Sequence, residues 1–102
     1  MPDFSLAEKW IIFQILTLIM KADLIEDPAE VEYLDKVFND FGLSFNEFDH
    51  IEEVSFEELL REFSKFTAQK KQYAKKLFIG MAESDGYVHP QEKSLIELIS
   101  NQ

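Results

Sequence analysis

The sequence predicts an all-α fold, a compact bundle of about six helices with an internal pseudo-twofold repeat of helical hairpins. Three observations lead there. Helix-capping residues recur along the chain, each followed by apolar residues at helical spacing. Strand-type alternation is almost absent between them. One stretch, around Asp23, also aligns with another around Asp85 without a gap. At 102 residues the chain suits a single domain over 1–102.

Ser5-Leu6-Ala7-Glu8 has the form of a capping box, in which the serine oxygen accepts from the third helical amide and the glutamate reaches back. A helix over 6–22 should follow. Its stretch 10–20 is apolar apart from Gln14 and Thr17 and is bounded by Lys9 and Lys21. A membrane span needs about 20 apolar residues, so this stretch reads as the central, buried helix of the bundle. Asp27, Pro28 and Glu30 supply an N-cap, an N1 proline and an N3 glutamate, and together start a second helix. Val31, Leu34, Phe38 and Phe41 form its apolar stripe, and Gly42 stops it by accepting a positive φ.

Ser44 with Glu47 starts a short third helix by the same capping logic. Ser55 with Glu58 starts a fourth, with Phe56, Leu59, Leu60, Phe63 and Phe66 facing inward. A fifth spans about 68–84, its apolar face made by Tyr73, Leu77, Phe78 and Met81. Gly80 costs that helix about 1 kcal/mol relative to alanine, which points to a close helix–helix approach there. The sixth helix starts at Pro90, with Leu95, Ile96, Leu98 and Ile99 on its buried side. The ten phenylalanines fall on these inward stripes and are read as core.

The repeat pairs Lys21-Ala22-Asp23-Leu24-Ile25-Glu26-Asp27-Pro28-Ala29-Glu30 with Glu83-Ser84-Asp85-Gly86-Tyr87-Val88-His89-Pro90-Gln91-Glu92. The aspartates align, then the prolines five positions on, then the glutamates seven positions on. Each copy follows a long apolar helix and opens an amphipathic one, so the two copies cover about 6–42 and 68–101. Here the chain resembles the TerB-like family, the small helical domains named for bacterial tellurite resistance. The stretch from Met81 to Glu92 is close to that family's run of alanine, Asp-Gly, an aliphatic residue and then glutamate. Ala22-Asp23 to Glu30 is similar to its first copy, with Leu24 where a glycine is usual. The resemblance implies a six- or seven-helix domain of stress-response systems, of a family often discussed as metal-linked and as an adaptor near membrane complexes, and it does not imply catalysis.

Four acidic residues in these copies are candidate metal ligands: Asp23, Glu30, Asp85 and Glu92. Their oxygens suit hard divalent cations, Ca²⁺, Mg²⁺ or Mn²⁺. An EF-hand is excluded, because with Gly86 at the sixth loop position the first falls on Met81, which does not ligate a hard cation. In the first copy the corresponding positions are Ile19 and Lys21. Helix capping accounts for the same residues without a metal: Asp27 or His89 at the N-cap, Glu30 or Glu92 folding back from N3, and Asp23 and Asp85 bonding loop amides. A protein-binding surface is the third reading. The two loops share an ion only if the first and fifth helices run parallel; antiparallel helices would place the loops on the order of 20 Å apart.

Charge and composition narrow the function further. The formal net charge is −10, with 16 acidic and 4 basic residues in 1–62 against 4 and 6 in 63–102. The acidic part repels a phosphate backbone, so no nucleic-acid partner is expected. The basic cluster Lys65, Lys70, Lys71, Lys75 and Lys76 reads as a solvated helix face or as a patch for an acidic partner. No cysteine is present, which excludes disulfides, thiolate metal sites and a thiol nucleophile. His50 and His89 form no helical zinc pair, and neither a Gly-x-Ser-x-Gly elbow nor a glycine-rich phosphate loop occurs. Tyr87 reads as a half-buried anchor or a partner contact. Asp3 and Glu8 precede the apolar stretch where an export signal would carry basic residues, so a cytoplasmic location without membrane insertion is expected. The leading expectation is a non-enzymatic TerB-like binding or sensing domain with an acidic, divalent-metal-linked face and a protein partner. A metal-independent adaptor using the same face is the rival, and a metal-dependent hydrolase a distant third.

Overall fold

The computed structural model describes residues 2–21, 28–43, 55–84, 86 and 90–101. Every regular element among them is α-helical: α1 (Leu6–Lys21), α2 (Pro28–Asp40), α3 (Phe56–Ser64), α4 (Ala68–Glu83) and α5 (Pro90–Ser100). The short helix expected from Ser44 lies outside the described residues, as does Tyr87. No described helix is long and apolar enough to cross a membrane.

Local chemistry sets the helix boundaries. The Ser5 amide donates to Glu8 Oε1 at 2.9 Å and the Glu8 amide to Ser5 Oγ at 3.1 Å, which completes the capping box of α1. Ser55 accepts from the Glu58 amide at 3.3 Å at the start of α3. Thr67, a cap the sequence pattern had not singled out, accepts from the Lys70 amide at 3.2 Å at the start of α4. Beyond α2, Gly42 takes φ 68°. Its amide donates to the Asn39 carbonyl at 3.0 Å and the Leu43 amide to the Phe38 carbonyl at 3.1 Å, a Schellman stop. No atom would lie within 4 Å of a Cβ at Gly42, so the conformation alone demands glycine there. Gly42→Ala is therefore expected to cost about 1–2 kcal/mol of unfolding free energy, and Gly42→Asn distinctly less, both read from urea midpoints.

α1 is the axis of the bundle. It buries Trp10, Ile11, Ile12, Ile15, Leu16, Ile19 and Met20 and packs against all four other described helices. The eight phenylalanines outside positions 45 and 48 are buried or half-buried, as expected of core. Two residues assigned to inward stripes are instead exposed, Val31 and Leu98. The stripe of α2 is Glu30, Leu34, Val37 and Phe41, and that of α5 is Glu92, Ile96 and Ile99, flanked by half-buried Leu95. Each follows the i, i+4, i+7 spacing of one helix face. Val31 and Leu98 fall off that face because each sits one residue, about 100° of helix rotation, away from a stripe position.

Long-range contacts fix the helix directions. Lys9 Nζ donates to the Phe41 carbonyl at 3.1 Å, and Phe38 packs on Trp10 and Phe13, so α2 runs antiparallel to α1. Lys70 Nζ pairs with Glu8 at 2.8 Å, and the Phe4 ring lies 5.7 Å from Tyr73, which joins the start of α4 to the start of α1. At the other end, Tyr33 of α2 lies over Gly80 of α4, whose missing Cβ would meet the tyrosine Cζ at 3.0 Å. This is the close approach that Gly80 implied. Taken together, α1 and α4 run parallel. α1 is about 24 Å long at 1.5 Å per residue, close to the 26–31 Å extents of the molecule. Its two ends therefore mark two poles.

Candidate functional site

One pole is aromatic. Phe4 lies 5.9 Å from Phe41, 6.2 Å from Phe66 and 5.7 Å from Tyr73, with the Lys70 ammonium 6.0 Å from its ring centroid. Lys70 thus leaves the basic cluster to hold Glu8, and Lys65 is spent on Glu62 at 3.1 Å. α4 has no acidic residue in its first turn, and Lys70 in that turn takes its counter-charge from Glu8 of α1. Burial pushes the Glu8 carboxyl up. Hydrogen bonds from Lys70 and Ser5 and the charge of Lys70 outweigh it, and the net pKa lies below the ordinary 4.5. A carboxyl lowered on folding stabilises the fold above its unfolded pKa and loses that contribution as pH falls through the native one. Wild type should therefore lose stability from just above pH 4.5 downward, and Glu8→Gln or Lys70→Met should show a smaller loss. Urea midpoints at neutral and acid pH measure the difference.

The second pole is the opposite end of α1. There α1 and α4 end, and six residues follow each before α2 and α5 begin. Leu95 of α5 lines a groove with Leu18 and Lys21, which places the middle of α5 beside the last turn of α1. The chain leaves α4 through Gly86, at φ 84°, whose amide donates to the Glu83 carbonyl at 2.9 Å. Leu24 holds the aligned position in the first copy, where a left-handed φ would cost an L-residue about 1–2 kcal/mol.

Of the four candidate ligands, Glu30 and Glu92 are described, and Asp23 and Asp85 lie outside the described residues. Both glutamates are 0% exposed. Each sits at N3 of its helix and, at the same time, at the first position of the apolar stripe. Capping alone does not require such burial. Glu8, also at N3, closes a complete box while its side chain stays 22% exposed, and Glu58 at N3 of α3 is exposed. A buried carboxylate loses hydration worth several kcal/mol unless compensating groups or an ion replace it. Neither glutamate is without an interaction of its own. Among the described residues no three His, Asp or Glu side chains gather into a group able to hold a metal.

What the sequence pattern left unseen was the phase of the two glutamates. A signal for it existed, since counting back four from Leu34 and from Ile96 lands on Glu30 and Glu92. No protein-family model matches the chain, and neither a curated protein nor a solved structure matches it.

Proposed function

We propose that the chain is a cytoplasmic, non-enzymatic TerB-like stress-response domain, a binding or sensing module whose acidic face takes a divalent cation, Ca²⁺, Mg²⁺ or Mn²⁺. Asp23, Glu30, Asp85 and Glu92 supply the oxygens. The observation that carries this reading is the complete burial of Glu30 and Glu92 at equivalent positions of two helices. Two carboxylates placed in apolar stripes fit a pole organised around positive charge better than one organised by helix caps alone. The parallel course of α1 and α4 supports the sharing of one ion between the two loops. It also supports the pseudo-twofold bundle of about six helices. Exchanging α1 with α4 and α2 with α5 leaves the pattern of packed pairs unchanged, apart from the partner of α3. α1 and α4 also have the same length of 16 residues.

The test is thermal melting and calorimetry with each ion, on wild type and on Glu30→Gln, Glu92→Gln and Asp85→Asn. Glutamine at N3 preserves a capping box, so these glutamate variants separate capping from cation binding. Binding to the native state alone raises the melting temperature with the logarithm of ion concentration, and that rise should disappear in the variants. Absence of heat and of any shift in wild type at millimolar ion would end the metal reading. The alternative is then a metal-independent protein–protein adaptor on the same acidic surface. It is favoured by the exposed Glu32 and Asp35 of α2 beside exposed Val31.

A further inference from the structure

We draw no further inference here: the strongest candidate, the shallow apolar groove of 290 Å³ lined by Leu18 and Lys21 of α1, Phe56 of α3 and Leu95 of α5, carries nothing because nothing in the structure shows what covers it.

Discussion

Phe78→Ala is expected to remove about 3–5 kcal/mol of stability, a large part of the roughly 5–15 kcal/mol a domain holds in total. Phe78 is fully buried on α4, and its ring lies 5.7 Å from that of Phe63 on α3. Truncating it loses the transfer free energy of the ring and leaves a cavity that helices pinned at both poles cannot close. The effect should appear as a lower urea midpoint at unchanged slope. Phe63→Ala should cost a comparable amount, and the double variant less than the sum, because the two rings share one contact. Ile79→Ala, one residue along but 45% exposed, should stay within about 0.5 kcal/mol of wild type. A loss below about 1 kcal/mol for Phe78→Ala would show that α3 and α4 do not meet through these rings.

Gly80→Ala should carry opposite signs in two backgrounds. In wild type the new methyl meets the Tyr33 ring, with the hydroxyl oxygen nearest and Cζ at 3.0 Å. Tyr33 is half-buried against the core, so its ring does not swing aside freely. Overpacking of this kind costs about 1–3 kcal/mol. In a Tyr33→Ala background the obstacle is gone, and alanine's better helix propensity should make the same substitution stabilising by up to about 1 kcal/mol. The cycle isolates the α2–α4 contact from propensity. A substitution that destabilised both backgrounds equally would place the cost of Gly80→Ala elsewhere than on Tyr33.

The parts of this fold that could be read from the sequence are those governed by neighbours in the chain. The Ser5 box, the Ser55 cap, the proline starts of α2 and α5 and the Gly42 stop all depend on groups within a few residues of one another. Helix direction is different. It rests on Glu8 meeting Lys70, 62 residues away, and on Tyr33 meeting Gly80. Nothing local to Lys70 distinguishes it from Lys71, so a basic cluster was legible and the pairing within it was not. At the other pole the glutamates were recognisable as N3 residues, but a stripe read from hydropathy began α2 on Val31 and added Leu98 to α5, and both are exposed. A pattern search built on apolar residues passes over a charged one in phase with the core. Finding it requires holding the helical register fixed and asking what stands at each position.

The aromatic pole has one more consequence. Phe4 touches both Phe41 and Phe66, so the chain between them departs from one small cluster and comes back to it. Opening the backbone inside that excursion would divide the molecule into two pieces, each retaining one helical hairpin and one side of the shared core. The pieces would forgo the advantage of a closed loop of some two dozen residues, roughly 3 kcal/mol on a (3/2)RT ln n scale. They would keep the Phe4 cluster as the dock at which to rejoin. The architecture thus lends itself to reassembly from fragments, with an aromatic ring in place of a covalent link.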